Sequence, residues 1–308
     1  MITFLSGGTG TPKLIQGFRS NIPEEQISII ANSADNFWVY GYYVSPDIDT
    51  ILYLFSNLLD TEKYWGVKNE TYNTLDFLNR YGVNTWFQLG DKDLGMQVFR
   101  TNEMQKGVNQ SVIINNLREK LGIRAKIFPS SENHIETRII TKDDRNIHFQ
   151  EFWVKNKGKI EIKDIYVKDL EKAIVPNLAL NELDISELII IGPSNPITSI
   201  GPIIDIKPIR KKLEKNKNRC MTISPIIGEA PISGPTGKLM KTKGLEVSPV
   251  GVAKLYKDIC STIIIHETDK NYTEEIEKET GLEVLTQNIL FRDETIPKKL
   301  SSFILNRR

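Results

Sequence analysis

The strongest constraint on the fold is a series of short apolar runs, each closing on a loop of small and polar residues. Residues 2–5 run into Ser6-Gly7-Gly8-Thr9-Gly10, and Ile27–Ala31 runs into Asn32-Ser33-Ala34-Asp35. Leu188–Ile191 ends in Gly-Pro-Ser-Asn-Pro, residues 220–224 end in Pro-Ile-Ile-Gly, and 263–266 is a further run of this kind. Four or five apolar residues in a row, without alternation, predict strands buried on both faces, as in a parallel sheet covered by helices. Helical spacing falls between them at 13–19, 203–214 and 250–258. The pattern predicts an α/β fold with a Rossmann-like, mostly parallel sheet. In such sheets ligands bind beyond the carboxyl ends of the strands.

Ser45-Pro46 opens an amphipathic helix carrying Ile48, Ile51, Leu52, Phe55, Leu58 and Leu59, with Ser45 placed to cap it. From 71 to 122 the pattern stays helical in three segments, 72–81, 93–105 and 109–121, with one strand candidate at 85–89. Strand-like runs resume at 125–128, 137–141 and 147–154. The expected organisation is one α/β core, 1–70 and 123–308, with 71–122 inserted as a helical lid or subdomain.

Charge and composition narrow the class. The 308 residues carry 40 Lys+Arg and 39 Asp+Glu, a net charge of +1, which gives no support to a nucleic-acid binder or a polybasic anchor. No segment approaches the roughly 20 apolar residues of a membrane helix. The opening MITFLSGG lacks a basic flank and reads as a strand, not a signal peptide. Cys220 and Cys260 read as two reduced, buried thiols. The expectation is a cytoplasmic protein without nucleic-acid or membrane partners.

The loops hold the candidate chemistry. Gly7, Gly8, Thr9 and Gly10 sit between a first strand and a helix start, where backbone N–H groups approach a phosphate closely; a tight structural turn is the plain alternative. Lys13 stands where a dinucleotide fingerprint needs its third glycine. Gly237-Lys238-Leu239 lacks the hydroxyl of a Walker loop. Asp35, Asp47 and Asp49 are three acids at one sheet end. Each alone fits a dipole-complementing first turn, but together they point to a hard cation, Mg²⁺ before Zn²⁺. His134, His148 and His266 show no zinc spacing and are read as structural or surface residues. Asp93 suits a helix cap, while Lys92 and Arg100 are candidates for anionic groups. Ser194 and Asn195 lie in a proline-stiffened loop fit to read a base or phosphate.

In order, the segments SGGTGTPKL, NSADN, SPDIDTILY, LGDKDLG, FQEFWV, GPSNPITSIGPI, SPIIGEAPISGPTGKLM and GLEVSPVGVAKLY resemble the 2-phospho-L-lactate transferase (CofD) family from residue 6 to about 258. The resemblance implies a Rossmann-like homodimer. It also implies transfer of a phospholactyl group from lactyl-2-diphospho-5′-guanosine to the ribityl hydroxyl of the deazariboflavin Fo, with Mg²⁺, giving coenzyme F-420-0 and GMP; related members use an enolpyruvyl donor. It places Asp49 and Lys92 near Fo, and the loops at 7–10 and 192–196 around the guanosine diphosphate. Asp35 and Asp49 are the candidate catalytic acids. The family usually has a second acid where Asn36 stands, Met-Ser-Asp-Asp where 130–133 reads SSEN, and a glycine at Glu229.

Two other readings make different demands on the sequence. A non-catalytic, nucleotide-sugar-binding regulator of the same fold should lack SPDIDT and LGDKDLG. An NAD-dependent dehydrogenase is disfavoured by Lys13.

Overall fold

Seven short strands carry the fold. In the computed structural model, which describes residues 1–307, they are β1 (Ile2–Ser6), β2 (Ile27–Ala31), β3 (Lys126–Pro129), β4 (Leu188–Ile191), β5 (Cys220–Ile223), β6 (Thr262–His266) and β7 (Glu283–Gln287). Their order across the sheet is 3-2-1-4-5-6-7, and every neighbouring pair is parallel. β1 and β2 are buried at every position, as unalternating runs require. The chain moves outward from β1 through β2 to β3, then returns to β4 on the other side of β1. This reversal is the switch point at which open α/β sheets bind ligands.

Alternate residues of the strands feed two cores. Phe4, Ile27 and Ile29 face a layer containing α1 (Gly10–Arg19), α2 (Pro46–Phe55) and the last helix, Thr295–Leu305. Leu5, Ile30 and Ile189 face the opposite layer, with helices Asn177–Ile185, Lys207–Lys215 and Pro249–Tyr256. Helix α2 is buried from Asp47 to Phe55, on every side.

The 71–122 segment forms α3 (Asn73–Arg80), α4 (Asp91–Gln105) and α5 (Gln110–Lys120), close to the three helices expected. Its last helix belongs to the core: Ile113, Ile114 and Leu117 pack into the first layer, so α5 is the crossover helix between β2 and β3. By contrast, α3 buries only Leu75.

Four local expectations are corrected. The strand at 85–89 does not form. Tyr40 supplies what a strand partner would, its hydroxyl accepting from Phe87 N–H (2.8 Å) and donating to Phe87 O (3.0 Å). The run at 147–154 is a strand only at Asn146–His148, followed by a π-helical turn at Glu151–Lys155. That turn brings Phe149 and Phe152 into one small core with Ile139 and Ile165, where strand alternation would send them to opposite faces. The helix at 203–214 is two, Gly201–Ile204 and Lys207–Lys215, broken before Pro208. Ser45 does not cap α2, and its buried hydroxyl has no partner among the described residues.

Cys220 and Cys260 are buried free thiols. Among the described residues, no helix is long and apolar enough to cross a membrane.

Candidate functional site

The loops after β1 and β4 meet at the switch point, backbone against backbone. A Cβ at Gly10 would collide with the carbonyl of Pro193, so only glycine permits the approach. Gly8 takes φ +60°, a left-handed conformation that glycine adopts without strain. Ser194 cements the pair: its hydroxyl accepts from Thr11 N–H at 3.0 Å and lies 2.8 Å from the Thr11 hydroxyl. The closure leaves an open cleft of about 660 Å³ above the strand ends.

The lining of the cleft combines a polar set with an aromatic one. Gly8, Thr9, Gly10, Ser194, Asn195, Asp35 and Asp47 belong to the polar set. Gly7 lies in the same loop, packed against Ser199 and Asn32. Asp47, in the first turn of α2, accepts from Gly8 N–H at 2.8 Å and from Asn32 Nδ2 at 2.9 Å. Burial, then the neighbouring Asp47 charge, raises the Asp35 carboxyl well above the usual range. Burial pushes Asp47 up to about 6, with the Asn32 and Gly8 hydrogen bonds working against the rise. Asp35 Oδ1 is buried and has no hydrogen-bond partner among the described residues.

The same cleft also carries aromatic side chains. Trp65, Trp86 and Trp153, three of the chain's four tryptophans, line it with Phe87 and Phe149. Lys63 and Lys157 are also in its wall.

The structure separates acids that the sequence groups together. Asp49 does not line the cleft. It forms a buried ion pair with Arg100 on α4, which also bonds Gln97. Burial opposes the charge of Arg100, but the Asp49 carboxylate outweighs this and holds its pKa above the ordinary value. Asp93 lies in the same buried network, receiving hydrogen bonds from Tyr53 (2.6 Å) and Gln97 (2.8 Å). Burial and then Asp49 push its pKa up to about 6. Arg100 is wholly buried and does not reach the cleft. Lys92 is exposed, its ammonium held by the carbonyls of Lys68 and Asn69. Asp35, Asp47 and Asp49 therefore do not form a three-carboxylate site. Among the described residues, no three His, Cys, Asp or Glu side chains are grouped to hold a metal ion.

The chain matches the family model "2-phospho-L-lactate transferase CofD" over residues 2–295. This chain belongs to the CofD family. A 2-phospho-L-lactate transferase of Methanococcus maripaludis strain S2 is 40% identical over 303 residues, covering 97% of this chain and 96% of the relative. One from Methanocaldococcus jannaschii is 39% identical over 301 residues, covering 95% and 93%. A UPF0052 family protein from Bacillus halodurans shares the fold, with TM-score 0.65 and 16% identity over 99% of this chain and 98% of that one. The protein is thus a CofD-type transferase, and its cleft at the Rossmann-like switch point is the candidate active site.

Sequence reasoning missed several residues here. Asn32 directly follows β2, but no local pattern marks its amide as a partner of Asp47. The tryptophans at 65, 86 and 153 lie in three different segments, and no spacing rule connects them.

Proposed function

We propose that the cleft transfers a phospholactyl group from lactyl-2-diphospho-5′-guanosine to a ribityl hydroxyl of Fo, with Mg²⁺, releasing GMP. The observation that carries this reading is that one cleft is lined both by a glycine-and-carboxylate set and by three tryptophans. The first suits a nucleoside diphosphate, the second a flat tricyclic acceptor.

The two carboxylates fit a hard cation. Asp35 and Asp47 face one another with raised pKa values, and Asp35 offers an unpartnered oxygen. Mg²⁺ typically takes one or two carboxylates and completes its shell with substrate phosphates and water, so a third acid is not required. Asp47 and the substrate's own phosphate oxygens would hold it beside Asp35, whose Oδ1 is left for the proton, and when bound it neutralises charge on the diphosphate.

The remaining work falls to the chain. The Thr9 and Gly10 N–H groups bind the diphosphate, since Gly8 N–H is taken by Asp47 and Thr11 N–H by Ser194. The acceptor hydroxyl oxygen attacks the phosphorus bearing the lactyl group. That P–O bond forms as the bond to the bridging oxygen breaks, and GMP leaves with the bridging oxygen. The hydroxyl proton passes to Asp35 Oδ1, whose raised pKa suits a general base. Asp49 is removed from this role by its pairing with Arg100.

Incubation with the donor, Fo and Mg²⁺ should yield F-420-0 and GMP in equal amounts, followed by chromatography. Absence of GMP release under conditions where a characterised relative is active would overturn the reading. The acceptor site has its own test. Trp153 is 39% exposed, so Trp153→Ala should leave the melting temperature nearly unchanged. Loss of one stacking face, worth about 1–3 kcal/mol, should raise KM for Fo about tenfold, and an unchanged KM would place the ring elsewhere.

A further inference from the structure

We infer that Asn32 is a positioning residue that fixes Asp47 and the loop after β4 in one frame for the cation-assisted transfer. The inference rests on the reading of Asp35 and Asp47 given above and adds a residue to which that reading assigns nothing.

Asn32 follows β2 directly and is wholly buried. Its backbone N–H donates to Ser6 O at 2.8 Å, continuing the β1–β2 ladder by one residue, so the sheet fixes its Cα. Its side-chain amide makes three further hydrogen bonds and also lies beside Asp35, whose raised pKa it works against. Nδ2 donates to Asp47 Oδ2 at 2.9 Å and to Thr198 O at 3.2 Å. Oδ1 accepts from Ala34 N–H at 2.9 Å. The network also fixes the orientation of the amide. A flip would set Oδ1 against a carboxylate and a carbonyl, two acceptors, and would face Nδ2 toward a donor.

One side chain therefore joins β2, the first turn of α2 and the loop after β4. Through the second oxygen of Asp47, which takes Gly8 N–H, it also reaches the glycine loop. An ionised carboxylate has about four acceptor sites over its two oxygens, so Asp47 keeps capacity for an incoming ligand while both oxygens are anchored. Without the amide, Asp47 loses one of its two anchors and the Thr198 carbonyl loses a donor. Groups that orient metal-holding side chains typically account for about 10–100-fold in metal affinity.

The alternative is that Asn32 only supports the local turn at Ala34. A double-mutant cycle separates the two roles. Mg²⁺ and Mn²⁺ are titrated calorimetrically into the wild type, Asn32→Ala, Asp47→Ala and the double variant, each with guanosine diphosphate present. Asn32→Ala should weaken cation binding about tenfold or more in the wild-type background. In the Asp47→Ala background it should change binding by no more than about twofold. In turnover, the half-saturating Mg²⁺ concentration should rise by the same factor, with KM for the acceptor unchanged.

Equal effects in both backgrounds, or no effect in the wild type, would overturn the inference and leave the cation reading standing. If the wild type takes up neither cation beside guanosine diphosphate, the cation reading falls as well. Should Asn32→Ala not fold, Asn32→Ser serves in its place. The serine hydroxyl keeps an acceptor for Ala34 N–H but is too short to reach Asp47.

Discussion

Asp35→Asn is expected to lose about 10²–10⁴-fold in kcat, the usual contribution of a positioned general base, while becoming harder to unfold at neutral pH. Both effects have one origin. The Asp35 carboxyl is buried beside Asp47, and its folded-state pKa lies well above the ordinary value. A folded pKa raised in this way means that the native state holds the proton more tightly than the unfolded chain. The stability from this group is complete below the ordinary carboxylate range and is lost as pH rises through the folded pKa. The wild type bears that cost at neutral pH, and the amide does not. Thermal unfolding at pH 7.5 should therefore give Asp35→Asn the higher melting temperature, with an advantage that shrinks as pH is lowered toward 5. A lower melting temperature at pH 7.5 would show that the carboxylate is stabilised by something other than the contacts described. Asp35, as the base, sets the expected acid limb of the rate: as pH drops, kcat should begin to fall well above the ordinary carboxylate range.

Arg100→Met is expected to cost about 3–5 kcal/mol of folding stability, the range for removing one partner of a buried ion pair. Arg100 is wholly buried, and Asp49 beside it is nearly so. Without the guanidinium, Asp49 and Asp93 are two acids in one buried site, held by Gln97 and Tyr53 with no cation. Replacing both members, as Arg100→Met with Asp49→Leu, should recover much of the loss, since apolar pairs of similar volume often match or exceed buried ion pairs. Denaturant unfolding of the single and double variants measures both. If the folded Arg100→Met variant instead kept its stability and lost donor affinity, the guanidinium would be a substrate contact, the role its sequence position suggested. The same comparison tests Asp49, which the resemblance places near Fo and the structure places against Arg100.

The particular residues show why one part of the site was legible and another was not. The glycine loop and the Ser194–Asn195 loop were found because each directly follows a buried strand, and a parallel sheet carries all such loops to one edge. Asp35 was found for the same reason. The difference between Asp47 and Asp49 was not legible. Two residues apart on a helix are about 200° apart around its axis, so the two carboxylates leave α2 on opposite sides. An amphipathic helix would show which side faces inward, but α2 is buried all round from Asp47 to Phe55, and its periodicity identifies no face. Arg100 stands 51 positions from Asp49, and nothing local marks either as the other's partner.

Local pattern is enough for six of the seven sheet strands, the Rossmann-like class, the loops that reach the ligand edge and, through the ordered motifs, the family. These are properties of short segments, decided by unalternating apolar runs and by glycine and proline at strand ends; β7, an incompletely buried edge strand, has no such run. Long-range packing decided which acids share the cleft, which acid is paired with a buried arginine, and that three tryptophans line one cleft. It also drew α5 into the core and made Asn32 a junction of four segments. Those outcomes depend on the packing of α2 between its neighbours and on the meeting of distant loops at the switch point. In both cases, contacts far apart in the chain set the direction of a side chain.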